Sequence, residues 1–547
     1  MKKNSFIEGT IIATLCIVLV KILGMLYVIP FYAIVGSTGA ALYAYAYNIY
    51  GLFLEIATAG VPNAVSKIIN EYNTLDKQEA KVRTFKIGKR LLSVIAVIAF
   101  IILFAFAPQI AELIIGDMTG GNTIEDVTFV IRSVSFALIV FPFLSVSRGF
   151  FQGHRIISVS SVSQVIEQIA RVFVIIVGSY IALKWLHLDL TTVVGVAVFG
   201  AFVGGLCALF YVYRKLRQNK KELALDQKFE VKDDVSNKEI IKKIVQYAIP
   251  VVIVSIAFTI YNNVDMILIL RTMDYLGMDA SEVEFIATGI STWAPKISIV
   301  VTSVALGLSA SLIPNMVQSF TLKNYDDVNH KFNKSLQIIL FISLPMCVGI
   351  SLLASSIWTV FYGYNGIGSN ILSIAIFAPL FSNLYTVANN TLQSMNKFKW
   401  VYISSITGII LNALLDVPFM LLFDFIGIPA YFGATVATIV GFTSTLLIAM
   451  WYLKKEYHFH YQDTKKTLGK IILPLATMIV VVLLMKLFVP INYDSRFACI
   501  IYIAVIACVG ALSYFIVSHK MGLMDEILGK NYLQRIKARF VGRKKKA

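Results

Sequence analysis

The sequence predicts an all-α membrane protein of about fourteen transmembrane helices, with two six-helix lobes around a central cavity and two further helices at the C-terminal end. Three observations carry that expectation. Hydrophobic residues make up 58% of the 547 residues and charged residues 14%, against about 25% charged in a soluble domain. Apolar runs of spanning length recur along the whole chain. Basic residues fall on alternate connections between those runs.

A spanning helix needs about 20 apolar residues. The runs 10–34, 41–66, 91–115, 127–152, 158–184, 191–213, 244–270, 286–318, 335–361, 370–394, 399–423, 428–452, 469–490 and 497–518 qualify. The eighth and ninth are long, so they tilt or extend beyond the bilayer. The first is too long for a cleaved leader and lacks a small-residue cleavage site, so it reads as helix one.

Loop charge sets the orientation. The 67–90 segment carries Lys67, Lys77, Lys81, Arg83, Lys86, Lys89 and Arg90, and 214–243 carries Arg214, Lys215, Arg217, Lys220, Lys221, Lys228, Lys232, Lys238, Lys242 and Lys243, alternating with acidic residues. Lys323, Lys331 and Lys334 follow helix eight, Lys454, Lys455, Lys465 and Lys466 follow helix twelve, and Arg543, Lys544, Lys545 and Lys546 end the chain. These are even-numbered exits, on the side of Lys2 and Lys3; the odd-numbered exits 35–40, 116–126 and 362–369 have no lysine. Both termini are therefore expected in the cytoplasm of a multi-pass cell-membrane protein. The net charge of +17 is then a topology signal, and no nucleic-acid partner is expected. The five cysteines lie inside apolar runs without metal-ligand spacing and read as small buried hydrophobes.

The domain organisation follows. Residues 1–213 form an N-lobe of helices one to six, 214–243 a cytoplasmic linker, and 244–455 a C-lobe of helices seven to twelve. Residues 456–518 hold helices thirteen and fourteen, the expected lipid-tail groove, and 519–547 a basic cytoplasmic tail. A weak repeat supports two homologous halves. Gly60-Val61-Pro62-Asn63-Ala64-Val65-Ser66 ends helix two as Leu312-Ile313-Pro314-Asn315-Met316-Val317-Gln318 ends helix eight, and Arg171 lies as far beyond Gln152 as Asn412 beyond Gln393. Six is an even number of spans, so the halves share an orientation, with a site between them.

Charged side chains at bilayer depth are costly and face a bundle interior. Lys21 lies mid-helix one, Glu55 in helix two within reach of pairing with it, and Arg148 near the cytoplasmic end of helix four. Glu167 and Arg171 are four apart in helix five, on one face, and can pair. Lys296 follows Pro295 in helix eight, where a proline points to an interior-facing irregularity. Asp265 in helix seven, Asn412 and Asp416 on one face of helix eleven, and Thr435 or Thr438 in helix twelve offer oxygens suited to sodium or a proton. The sequence leaves the choice of threonine open. There is no phosphate-binding GxxxxGK[ST] loop and no paired-histidine cluster, so a transporter is favoured over an enzyme.

Several stretches carry a resemblance. Lys21-Ile22-Leu23-Gly24-Met25, Ile29-Pro30-Phe31, Ala59 through Lys67, Arg148-Gly149-Phe150-Phe151-Gln152-Gly153-His154 and Gln164 through Arg171 resemble the Gram-positive-type MurJ/SpoVB branch of the multidrug/oligosaccharidyl-lipid/polysaccharide exporter superfamily. Gly433-Ala434-Thr435-Val436-Ala437-Thr438 is similar to a superfamily-wide helix-twelve pattern. The likeness spans essentially the whole chain. It implies an inverted-V fold and flipping of lipid II, the undecaprenyl-pyrophosphate-linked peptidoglycan precursor, by alternating access. It implies a cationic substrate cavity, with Lys21 in place of one helix-one arginine, Tyr27 or a neighbour replacing the other, Lys296 at the helix-eight basic position, and Glu55 in the region of a helix-two arginine cluster that this sequence lacks; the interior charges Arg148 and Arg171 complete the substrate-binding candidates. It also implies, as in some relatives, a sodium site at Asp265, Asn412, Asp416 and a helix-twelve threonine, Thr438 being our choice, with sodium as coupling or structural ion and no other cofactor. Anionic membrane lipids and cell-wall synthesis proteins are the other expected partners. Flipping of another polyprenyl-linked saccharide, such as a capsule or teichoic-acid unit, and cation-coupled drug export are the alternatives. The interior Lys21, Arg171 and Lys296 argue against the export of cationic drugs.

Overall fold

The structure, a computed structural model, describes residues 6–58, 60–116, 118, 120–154, 156–225 and 233–529. Lys2, Lys3, the linker residues Lys228 and Lys232 and the terminal Arg543, Lys544, Lys545 and Lys546 lie outside these. Among the described residues the chain is helical, without a strand, and thirteen helical runs are long and apolar enough to cross a membrane. The first run, 12–74, has 63 residues. At about 1.5 Å per residue that is roughly 95 Å, three times the hydrocarbon thickness of about 30 Å. Gly36, at φ 67° and ψ −170°, breaks this run. The break falls between the predicted runs 10–34 and 41–66.

The chain forms two compact units, Met1–Lys296 and Ile297–Ala547. The first contains α1 (Phe6–Leu26), α2 (Val28–Thr58), α3 (Gly60–Thr74), α4 (Gln78–Ala105), α5 (Ala107–Ile115), α6 (Ile124–Ser135), α7 (Ala137–Gly153), α8 (Ile157–Phe173), α9 (Ser179–Lys184), α10 (Leu190–Gln218), α11 (Asn237–Tyr275) and α12 (Ala280–Thr288). It ends at the head of α13 (Ala294–Thr321). The expected lobes divide at 214–243 instead. In the structure α11 packs on α2 and α3, and α12 on α2, so the two helices after the linker belong to the first unit.

Close backbone approach holds this unit together. A side-chain carbon added at Gly149 of α7 would lie 2.4 Å from the Pro62 carbonyl oxygen of α3, and one at Gly153 would lie 2.8 Å from Ile69. In lipid there is no hydrophobic drive between helices, so small residues that let backbones touch supply the packing. Two of the stretches that carry the resemblance, 148–154 and the described part of 59–67, residues 60–67, thus meet in one helix contact.

Two helices carry a turn of π-helix, Val174–Gly178 after α8 and Gly289–Trp293 before α13. Such turns open the backbone ladder and mark functional sites. The second lies directly before Ala294-Pro295-Lys296, and places there the irregularity that Pro295 predicts. Asn48 of α2 holds it, donating to the Thr292 hydroxyl at 2.9 Å and the Ser291 hydroxyl at 3.2 Å.

The second unit continues α13 and adds α14 (Tyr325–Leu352), α15 (Ala354–Tyr362), α16 (Gly366–Ala375), α17 (Ala378–Ser394), α18 (Phe398–Phe425), α19 (Tyr431–Tyr457), α20 (Gln462–Phe488), α21 (Arg496–Lys520) and α22 (Leu523–Leu528). Helices α18 and α19 meet at Gly433, where an added carbon would lie 2.4 Å from the Met420 nitrogen. Helices α20 and α21 pair, and α14 lies against α20.

Candidate functional site

Basic side chains of the first unit gather around one carboxylate. Glu167 and Arg171 of α8 pair at 2.6 Å across one helical turn, as their spacing predicts. The other oxygen of Glu167 accepts from Arg148 of α7 at 3.0 Å, and Arg148 Nε donates to the Ser163 hydroxyl at 2.7 Å. All three charged side chains are 12–13% exposed. One carboxylate therefore serves two guanidiniums, and the cluster keeps a net positive charge. Arg171 also donates to the Tyr47 hydroxyl at 3.2 Å and lies over the Phe141 ring. Its Nε is buried without a hydrogen-bond partner among the described residues, as is the Tyr50 hydroxyl.

Tyr47 ties in the next cation. The Lys296 ammonium lies 5.2 Å from the Tyr47 ring centre and 5.5 Å from that of Tyr27, within the roughly 6 Å over which a ring face attracts a cation. Tyr43, one turn before Tyr47, stacks on it at 5.3 Å and shares a hydroxyl–hydroxyl hydrogen bond of 3.3 Å with Tyr27. The result is a tyrosine-lined cationic surface built from α2, α7, α8 and the head of α13. Among the described residues Lys296 has no carboxylate partner; aromatic faces hold it, leaving its charge for a ligand.

The structure brings Arg148, Arg171 and Lys296 into this network. Lys21 is half-buried on α1, one turn before Gly24, whose added carbon would lie 3.5 Å from the Gln168 side chain of α8. Lys21 is thus on the side of α1 that faces α8, and among the described residues it makes no hydrogen bond or ion pair. Glu55 is half-buried on α2, one turn beyond Gly51, which faces Thr259 of α11. The Lys21–Glu55 pair that the sequence allowed is not formed among the described residues. The sequence reading missed Tyr43, Tyr47 and the bridging role of Glu167. The legible signal was the run Tyr43, Tyr45, Tyr47, Tyr50 in mid-membrane, where each hydroxyl needs a partner.

A second latch lies at the other end of this unit. Arg271 of α11 donates to the carbonyls of Glu112 and Leu113 at 3.0 and 3.1 Å, capping the C-terminal end of α5. Glu284 of α12, 2% exposed, accepts from the Asn122 backbone and side-chain amides, each at 2.8 Å. Neither contact was foreseen.

The proposed cation ligands fall in both units. In the second, Asn412 donates to Asp416 at 3.2 Å and to the Thr438 hydroxyl at 3.4 Å, and both residues of α18 are fully buried. Thr438 thus belongs to this network, whereas the buried Thr435 hydroxyl has no partner among the described residues. Asp265 is buried in the first unit. No group of three His, Cys, Asp or Glu suited to a metal occurs among the described residues.

The second unit also has an apolar cavity of 420 Å³ between α14, α15, α20 and α21. Phe341, Ile350, Met478, Ile506 and Phe515 line it, and Tyr514 turns its hydroxyl away to the Phe341 carbonyl at 2.9 Å.

Known proteins agree with this architecture. Residues 6–320 match the family described as polysaccharide biosynthesis protein, and residues 250–418 match MatE. The chain is 34% identical over 537 residues to the lipid II flippase MurJ of Bacillus subtilis, covering 96% of this chain and 97% of that one. It is 20% identical to the stage V sporulation protein B of the same organism, over 75% of this chain and 76% of that one. Among solved structures it superposes on a lipid II flippase MurJ in an inward closed conformation with TM-score 0.68 and 15% identity, covering 95% and 99% of the two chains. An inward-facing multidrug MATE transporter gives TM-score 0.61 at 14% identity, over 83% and 99%. With a family match over more than half its length and so extensive a curated likeness, this chain belongs to the MurJ/SpoVB-type lipid II flippase family of the multidrug/oligosaccharidyl-lipid/polysaccharide exporter superfamily.

Proposed function

We propose that this chain is a transporter, not an enzyme, that flips lipid II from the inner to the outer leaflet by alternating access. The single observation that carries the reading is the cluster of Arg148, Arg171 and Lys296 held around one carboxylate and three tyrosines. A pyrophosphate needs fixed positive charge in a low-dielectric setting, and planar guanidinium donors suit its oxygens. Arg171 keeps a buried Nε donor in reserve, and Lys296 offers a charge that ring faces steady without neutralising. Lys21, without a partner among the described residues, adds a further charge on the α1 side facing α8. The tyrosine hydroxyls and rings provide surfaces for the sugar and peptide portion.

The polyprenyl tail requires an apolar path, and the cavity lined by α14, α15, α20 and α21 supplies one. The tail then stays in lipid while the headgroup crosses. Both termini lie in the cytoplasm, which the lysine-rich even exits support.

Sodium is the coupling or structural ion in this reading. The donor set fits it: Asp416, Asn412 and Thr438 bring a carboxylate, an amide and a hydroxyl together in a dry setting. These residues would hold the ion, and the ion would bias one arrangement of the helices by binding it more tightly.

Depletion of the protein in its own host tests the function. Lipid II should accumulate in the inner leaflet while its synthesis continues. Unchanged arrival of lipid II at the outer leaflet would contradict the reading.

A further inference from the structure

At the end of the first unit that carries the basic loops there is a second cationic cavity, separate from the tyrosine-lined cluster. It has a volume of 200 Å³ and is bounded by α4, α7, α10 and the chain just beyond α10. Lys89, Arg217 and Lys220 form its rim, and no acidic side chain among the described residues lines it. Ring faces again position the cations. Lys89 lies 5.5 Å over the Phe143 ring, and the Arg217 guanidinium 5.6 Å over the Tyr213 ring. Among the described residues neither side chain has a hydrogen bond or an ion pair.

The floor is apolar, made by Phe85, Phe143 and Leu209. The roof is a fold in the linker: after α10 the chain turns back through Ala224, at φ 57°, with Leu225 donating to the Lys220 carbonyl at 2.9 Å. Leu225 thereby closes one side of the cavity. The depth of the site is fixed by the sequence. The apolar run of α4 begins at Leu91, just past Lys89, and that of α10 ends at Tyr213, just before Arg217. The rim cations therefore stand at headgroup level. Next to them Phe210 is 71% and Tyr213 54% exposed, on a helix face that must meet lipid.

We infer that this cavity is a binding site for the headgroup of an anionic phospholipid, with the phosphate among Lys89, Arg217 and Lys220 and the first carbons of the lipid on the aromatic floor. Phosphate chemistry alone would also admit free inorganic phosphate. The apolar floor and the exposed rings beside it favour the lipid, because a free ion gains nothing from either. Basic residues near an anionic lipid surface contribute about 1 kcal/mol each. The site clamps α4, α7 and α10 to the head of the linker, so an occupied site steadies that end of the unit.

Thermal stability of the purified full chain in detergent tests this, titrated with phosphatidylglycerol, with phosphatidylcholine, or with inorganic phosphate. Phosphatidylglycerol should raise the melting temperature saturably, and the other two should not. The Lys89→Gln/Arg217→Gln double variant should need about thirtyfold more phosphatidylglycerol for the same shift, the loss of two such contacts. The charge-keeping Lys89→Arg/Arg217→Lys variant should respond like the parent. An equal response to inorganic phosphate would overturn the lipid assignment. An equal response to phosphatidylcholine would overturn the charge-based one, and an unchanged titration in the double variant would remove the site.

Discussion

Glu167 decides the net charge of the arginine cluster, since among the described residues it is the one carboxylate paired with Arg148 and Arg171. Its half of the arrangement was readable, because residues four apart on a helix face each other. The Arg148 half was not, because it depends on how α7 lies against α8. Nor did the sequence show that Lys296 would rest on tyrosines, since that contact joins the α1–α2 junction, α2 and α13. Glu167→Gln should destabilise the protein by about 3–5 kcal/mol, the cost of leaving buried charge uncompensated, read as a lower melting temperature in detergent. A variant as stable as the parent would show that the arginines do not depend on it. Lys296→Met should leave melting unchanged within about 1 kcal/mol, as only ring contacts are lost, yet remove most flipping activity. Lys296→Arg should keep much of that activity.

Helices in this protein meet where glycine allows it, and the branch-specific stretch 148–154 is such a contact. The sequence identified residues 148–154 and 59–67 as characteristic without saying why. The geometry of Gly149 against Pro62 gives the reason, and only the packed structure could supply it. Gly149→Ala should therefore separate α7 from α3 and cost about 1–3 kcal/mol, the usual penalty for overpacking, with a matching fall in the yield of folded protein. Gly116 is tighter still. It follows α5 with φ at 69°, and an added carbon would lie 1.5 Å from an Arg271 guanidinium nitrogen. Gly116→Ala should expel Arg271 from the end of α5 and raise thiol labelling at Leu113→Cys in a background without native cysteines. Unchanged labelling would show that this cap is dispensable. For α18 and α19, the four-residue spacing of Asn412 and Asp416 was legible, and the partner threonine was not, because it hangs on the register between two helices. Sodium, compared with a bulky organic cation, should raise the melting temperature of the parent and not that of Asp416→Asn. A parent that does not distinguish the two cations would exclude the ion site.

At the scale of the molecule, a helical chain with many membrane spans was legible from apolar run length alone, and thirteen such runs occur among the described residues, since lipid demands continuous helices of spanning length. The joining of α1 and α2 into one run broken at Gly36 was not visible, because glycine is common in membrane helices and only its backbone angles mark the break. The division into units at Lys296 was equally hidden: a polar linker shows where the chain leaves the membrane, not which helices pack together. Orientation has its own test. With the native cysteines removed, Gly120→Cys and Gly366→Cys should react with an impermeant thiol reagent from outside intact cells, and Asn219→Cys only after lysis. Reaction of Asn219→Cys in intact cells would reverse the topology. The most direct measurement is the movement of lipid II between leaflets in liposomes containing only the purified protein. The parent should move lipid II faster than protein-free liposomes, and Lys296→Met and Lys21→Ala, folded and inserted to the same level, should lose most of that gain. A parent no faster than empty liposomes, or two variants as fast as the parent, would contradict flipping by a cationic cluster in this chain.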